Sequence, residues 1–153
     1  MKPEGASPEI LAKIYKYCAF QDRSREEVRK KLLDLGVFRS ALDKWLEHLE
    51  DEGFVNEERY LRAYVRGKFF QNQWGRTKVM YTLRQRNGSM EMARRLWDEE
   101  VSPEAYHALI RKLFERKTEG AELSAEQRDK AYRYLMQKGF EWAEIQAALR
   151  ADD

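Results

Sequence analysis

Residues 56–87 read NEERYLRAYVRGKFFQNQWGRTKVMYTLRQRN, and this stretch carries two helical patterns separated by a corner at Gln71 to Gly75. At about 100° per residue, Leu61, Tyr64, Val65 and Lys68 fall on one side of the first helix, and Arg59, Arg62 and Arg66 fall together on the other. One face packs and the other points outward. In the second helix Val79, Met80 and Leu83 form the inner stripe, and Lys78, Tyr81, Thr82 and Gln85 form an outward row at i, i+3, i+4, i+7 spacing. Trp74 and Gly75 make the corner, and Asn87-Gly88 is the stop.

Working outward, the second helix has two counterparts. Val28-x3-Leu32-x3-Gly36, Val79-x3-Leu83-x3-Asn87 and Ala131-x3-Leu135-x3-Gly139 superimpose at separations of 51 and 52 residues. A period of this size signals tandem supersecondary units. The units are expected at 7–54, 55–101 and 102–153, each of three helices. A unit of about 50 residues has a marginal core, so the three are expected to lean on one another. Strand signals are absent: alternation is not sustained, and no Asn-Gly turn sits between β-branched runs.

The flanking segments support this division. Ser7-Pro8 predicts a helix to about Phe20, with a hydroxyl to cap and a proline where no amide donor is missed. Ser24 and Glu27 are spaced as a capping box, and Gly36 supplies the left-handed stop. A third helix over 40–52 carries Leu42, Trp45, Leu46 and Leu49 and ends at Gly53-Phe54. Asn56 caps the fourth. Ser89 opens a sixth with Met92, Leu96 and Trp97 inward, and Ser102-Pro103 opens a seventh with Leu109, Ile110, Leu113 and Phe114. A polar loop over 117–123 leads to a second capping-box spacing, Ser124 and Gln127. The ninth helix, 141–150, carries Trp142, Ile145 and Leu149 as its apolar residues.

The 153 residues are 42% hydrophobic and 37% charged with a formal net charge of +2, a folded protein with a heavily solvated surface. Net charge selects no partner; its placement does. From Arg59 to Met90 there are eight basic residues (Arg59, Arg62, Arg66, Lys68, Arg76, Lys78, Arg84 and Arg86) and no acidic one. Glu47, Glu50, Asp51, Glu52, Glu57 and Glu58 come just before, and Asp98, Glu99 and Glu100 just after. The acids of Glu50 to Glu52 end a helix, where the dipole disfavours them. They call for cations from the fourth helix or from a partner. The single cysteine, Cys18, excludes an internal disulfide and reads as a small buried hydrophobe. No run is long and apolar enough to span a bilayer, and no signal core opens the chain, so a cytoplasmic location is expected. His48 and His107 lack metal-ligand spacing, and no phosphate loop or activated nucleophile is present. Neither catalysis nor a cofactor is expected.

With these units in hand, the chain resembles the RecX family, regulators of the RecA recombinase. Arg23-Ser24, Glu27 and Lys31-Leu32 through Gly36 are similar to the family's R-S-x-x-E-L-x-x-K-L-x-x-x-G. LEDEGF at 49–54, followed by Asn56-Glu57-Glu58-Arg59-Tyr60, resembles its second opening motif. Trp74-Gly75 with Lys78, Val79 and Leu83 resembles its W-G-x-x-(K/R)-(I/V)-x-x-x-L. Tyr134-Leu135, Lys138-Gly139-Phe140 and Ile145 resemble its F-L-x-x-(R/K)-G-F-x-x-x-x-I. Val28 stands where leucine is usual, and Asn87-Gly88 where Lys-Gly is common. The resemblance implies an all-α, elongated and curved arrangement of three helix-turn-helix-like repeats. It also implies a monomer that lodges in the groove of a RecA filament on single-stranded DNA and restrains strand exchange, ATP hydrolysis and repressor cleavage.

The eight basic residues are the expected partner-binding set, since arginine forks suit the carboxylates or phosphates of such a groove. Trp74 is expected to anchor the corner rather than stack on a base. The alternative reading is a helix-turn-helix DNA-binding module that presents Lys78, Tyr81 and Gln85 to a major groove. A pure helical scaffold is a third reading, and it leaves the basic stretch unexplained.

Overall fold

The computed structural model describes residues 3, 6–119 and 123–150. Among these the regular structure is entirely helical: α1 (Pro8–Phe20), α2 (Arg25–Asp34), α3 (Leu42–Asp51), α4 (Glu57–Arg66), α5 (Arg76–Gln85), α6 (Met90–Glu100), α7 (Pro103–Thr118), α8 (Ala125–Gln137) and α9 (Trp142–Arg150). A 3-10 turn, Arg39–Ala41, precedes α3, and a π-helical turn, Gly67–Gln71, continues α4.

The repeat seen in the sequence is a repeat of geometry. Val28, Leu32, Val79, Leu83, Ala131 and Leu135 are all fully buried. After them Gly36, Asn87 and Gly139 take positive φ, at 97°, 59° and 105°. Each turn closes with the same long-range bond: Val37 donates to Leu32, Gly88 to Leu83 and Phe140 to Leu135. This is the Schellman stop, which satisfies carbonyls left over at a helix end. Asparagine tolerates the left-handed position in the middle copy because its short polar side chain costs little there.

Helix starts follow the expected chemistry, with one exception. Ser24 and Ser124 form reciprocal capping boxes with Glu27 and Gln127, and Asn56, Ser89 and Ser102 accept amide hydrogens from Arg59, Met92 and Ala105. Each cap contributes about 1 kcal/mol. Ser7 precedes Pro8 as expected but makes no side-chain cap bond.

Two cores hold the helices together. Leu11, Ile14, Val28, Leu32, Trp45, Leu46 and Leu49 belong to the first, built from α1–α3. The second runs continuously from Leu61 and Val65 through Leu83, Leu96 and Trp97 to Ile110, Leu135, Phe140 and Ile145. So α4–α6 and α7–α9 lean on each other as expected, whereas α1–α3 bury a core of their own. Cys18 lies in the first core, where burial pushes its thiol up.

Three local features depart from the expectations or refine them. Lys68 does not sit on the packing face of α4: the wider π turn carries Phe69 inward, to 3% exposure, and leaves Lys68 half-buried at the edge. Trp142, one of the apolar residues of the ninth helix, is 49% exposed; it begins α9 and packs, with rings tilted by 34°, against Tyr132 at 4.6 Å between ring centroids. The expected loop over 117–123 begins later, because α7 continues to Thr118 and stops at Glu119 in the left-handed region. Residues 120–122 of that loop lie outside the described residues.

Candidate partner-binding surface

The basic residues of α4 face away from the core, but the fold supplies them with acids. The carboxyl end of α6 lies against α4, so Arg62 reaches Glu100 at 2.5 Å, Glu99 at 3.0 Å and Glu58 at 3.7 Å. Arg66 bonds to the other oxygen of Glu100, and Arg95 bridges Glu58 and Glu99. Hydrogen bonds from Arg62 and then Arg66 hold the Glu100 carboxyl below its usual range, and bonds from Arg62 and then Arg95 do the same for Glu99. Arg59 pairs with Asp22 at 2.5 Å and also donates to the Gly53 carbonyl, tying the first three helices to the fourth. Three of the eight basic residues are thus neutralised within the chain. Arg86 occupies an intermediate position, donating to the Tyr60 hydroxyl at 3.1 Å.

Of the remaining cations, Lys68 and Lys78 gather around the corner. Lys68 and Lys78 hold their ammonium nitrogens 4.6 and 4.3 Å from the centre of the Trp74 ring. Lys68 also lies 5.4 Å from the ring of Tyr64. From the far side of the joint, Lys138 donates to the Asn72 carbonyl at 3.3 Å and lies 5.7 Å from the Tyr134 ring. Burial, and then the charge of Lys78, push the Lys138 ammonium down. Among the described residues none of Lys68, Lys78 and Lys138 has a carboxylate within ion-pair distance; neither do Arg76 and Arg84. Ring faces are weak partners for ammonium groups, worth about 0.5–1 kcal/mol each at exposed sites. The cluster therefore keeps most of its positive charge for an external anion. Trp74 is half-buried and covered by two ammonium groups, which makes it an anchor for lysines rather than an open base-stacking face.

The joint that brings Lys138 to this cluster is a helix start capped by a helix end. The first turn of α5 has amide donors without partners in its own helix. Gly75 N–H donates to the Lys138 carbonyl at 2.7 Å and Thr77 N–H to the Gly139 carbonyl at 3.1 Å. Arg76 N–H donates to the hydroxyl of Tyr106, which in turn donates to Glu144. Burial pushes the Tyr106 phenol well above its ordinary range, so it stays protonated and able to donate. Only glycines allow this approach: a Cβ on Gly75 would overlap the backbone of Gly139 and Phe140, and one on Gly139 would overlap Lys78.

This geometry bears on the groove-reading alternative. A recognition helix contacts bases with its amino-terminal residues, and here that end of α5 is covered by the turn after α8. Of its expected contacts, Tyr81 is 62% exposed and Gln85 is exposed, but Lys78 is held over Trp74. The acids at the end of α3 are resolved differently from expectation: Glu50 pairs with Arg25 of α2 at 2.8 Å, not with α4.

Sequence reasoning did not single out Lys138 as a site residue, nor Tyr106 at all. Lys138 belongs to the same helix-stop pattern as Gly139, and superposing the repeats would place it one residue before each stop. Nothing local marks Tyr106, whose partners lie 30 and 38 residues away.

Residues 104–149 match the family description "RecX, third three-helix domain". Over nearly its full length the chain is similar to two proteins named regulatory protein RecX. It is 26% identical to that of Pelodictyon phaeoclathratiforme over 94% of this chain and 89% of the relative. It is 27% identical to that of Herminiimonas arsenicoxydans over 94% and 93%. The crystal structure of RecX from Lactobacillus salivarius shares the fold, with a TM-score of 0.82 at 19% identity over 95% of this chain and 97% of that one. A three-helix period, stops that repeat bond for bond and matches running along almost the whole chain converge on one likeness: along nearly its full length the chain is similar to RecX proteins.

Proposed function

We propose that this protein regulates the RecA recombinase by binding the RecA filament on single-stranded DNA, inhibiting ATP hydrolysis, strand exchange and repressor cleavage, and that it does so in the cytoplasm without chemistry of its own. Three units, 7–54, 55–101 and 102–153, form the binding body. The observation that carries this reading is the lysine cluster around Trp74. Three ammonium groups from two units share one surface, with no carboxylate within ion-pair distance among the described residues, and Arg76 begins the helix that carries Lys78. A filament groove offers anionic side chains and phosphates that such a surface complements, and charge attraction speeds encounter and makes binding salt-sensitive. Of the eight basic residues, Lys68, Lys78, Arg76 and Arg84 contact the partner, with Arg86 beside them. Arg59, Arg62 and Arg66 act first as internal struts.

The burial of the α5 start favours this reading over an isolated DNA-binding module. The test is charge reversal. The Lys68→Glu/Lys78→Glu variant should lose at least about tenfold of its inhibition of RecA ATP turnover at moderate salt, a loss of about 1.4 kcal/mol. Undiminished inhibition by a folded variant would remove the cluster from the interface.

A further inference from the structure

A second surface lies on the first three helices, far from the basic stretch in sequence and not needed for the regulation proposed above. Between the carboxyl-terminal half of α1 and α2 runs an open groove of about 340 Å³. Its walls are Tyr17, Phe20 and Leu35, and its rim carries Lys13, Lys16, Arg23 and Lys31, with no carboxylate in the lining. Phe20 is 81% exposed, an aromatic ring presented to water beside a half-buried tyrosine and leucine. The Arg23 guanidinium lies 3.9 Å over the Tyr17 ring and Lys31 lies 5.4 Å from it. Arg23 also donates to the Tyr17 carbonyl at the end of α1, which fixes the cation in place. Lys13 and Arg23 have acids of their own helical neighbourhood, Glu9 at 3.2 Å and Glu27 at 3.9 Å. Lys16 and Lys31 have none among the described residues.

We infer that this groove binds an acidic peptide segment of a partner protein, one that inserts an aromatic or aliphatic side chain between Phe20, Tyr17 and Leu35 and sets carboxylates against Lys16 and Lys31. The charge pattern selects the occupant. An apolar floor with a purely cationic rim complements an apolar anchor flanked by acids, the arrangement of short-motif recognition in a helical groove. A nucleic-acid strand would answer the rim but could stack a base only on Phe20, because Arg23 lies over the Tyr17 ring, and it would leave Leu35 without an apolar partner. Rim charges set the encounter rate, and the anchor pocket sets the residence time.

The test starts from a phage-displayed library of random twelve-residue peptides selected on the full-length protein. Recovered peptides are then labelled with fluorescein and measured by anisotropy against wild type, Phe20→Ala, Lys16→Glu/Lys31→Glu and the charge-matched control Lys112→Glu/Lys130→Glu, at two exposed lysines outside the groove. Phe20 is a surface ring, so its removal leaves the fold intact, as circular dichroism will verify. The inference predicts peptides with an apolar residue flanked by Asp or Glu, bound at least about tenfold more weakly by the first two variants and normally by the control. Failure to enrich any peptide, enrichment of peptides without carboxylates, or equal affinity for Phe20→Ala would overturn it. A twelve-nucleotide single strand or a phosphatidylglycerol vesicle that binds wild type and is lost with Phe20→Ala would reassign the surface to that ligand.

Discussion

Substituting Gly75 by alanine tests how the second and third groups of helices are joined. Gly75 has φ −77°, a value any residue adopts, so alanine brings no backbone strain of its own. Its Cβ, however, would overlap the carbonyl group of Gly139 and the amide of Phe140, which are backbone atoms and cannot rotate away. Relief requires the α5 start to separate from the α8 end. That breaks Gly75 to Lys138 and Thr77 to Gly139, and it draws Arg76 from Tyr106 and Thr77 from Glu141. At about 1 kcal/mol net per bond, losing two or three costs about 2–3 kcal/mol. For a chain of this size each kcal/mol lowers Tm by about 2–4 °C, so a fall of about 5–10 °C is expected by circular dichroism. Gly53→Ala is the control: its φ of 81° strains alanine, but nothing lies within 4 Å of the added carbon, so the cost is only about 1 kcal/mol. Trp45 reports the first core and Trp97 the second. Gly75→Ala should shift the Trp97 transition and leave the Trp45 transition in place. A melting temperature within about 1 °C of wild type would refute the joint as described.

Other outcomes follow from the same contacts. Trp74→Ala should destabilise by only about 1–2 kcal/mol, since the ring is half-buried and holds two ammonium groups at about 0.5–1 kcal/mol each, but it should weaken filament binding more than stability; normal binding would exclude the cluster. Tyr106→Phe should cost about 1–3 kcal/mol in urea unfolding, because Arg76 N–H then lies at a buried joint without its acceptor. Glu99 and Glu100 have folded pKa values below their unfolded ones. Their contribution is present above the unfolded carboxylate pKa, and it is lost as pH falls through the folded values. Acid titration should therefore release the α4–α6 network, and Glu100→Gln should flatten the stability profile in that acid window; an unchanged profile would count against the network.

What was legible in the sequence was what local chemistry encodes. Capping boxes at Ser24 and Ser124, and stops at Gly36, Asn87 and Gly139, depend on residues within one or two turns. Their recurrence at a fixed period exposed the three-part plan. The inner stripes Val79–Leu83 and Ala131–Leu135 were equally plain, because burial follows helical periodicity. The charge map was only half legible. A run without acids looks unpaired in one dimension, yet Glu99 and Glu100 return to Arg62 and Arg66 through the packing of α6 on α4. Lys138 likewise reaches the Asn72 carbonyl, within the field of Lys78, only because Gly75 and Gly139 let two backbones touch. Lys68 was misplaced because a π turn alters the helical count, and Trp142 is left exposed because the first residue of a helix is held to the core on one side only.

The internal pairing of Arg59, Arg62 and Arg66 changes how the proposed regulation should be probed. Reversing Arg62 and Arg66 disturbs an internal network as well as a surface, so lost binding there has two readings. Lys68 and Lys78 have no carboxylate to leave behind among the described residues, so their reversal reports on a partner.

The most direct test of the central claim compares binding to three targets at one salt concentration: single-stranded DNA alone, RecA alone, and RecA filaments assembled on single-stranded DNA with a slowly hydrolysed nucleotide. Marked preference for the filament, reduced by Lys68→Glu/Lys78→Glu, is the predicted result. Equal or tighter binding to bare DNA would contradict the account and return the chain to a nucleic-acid-binding module.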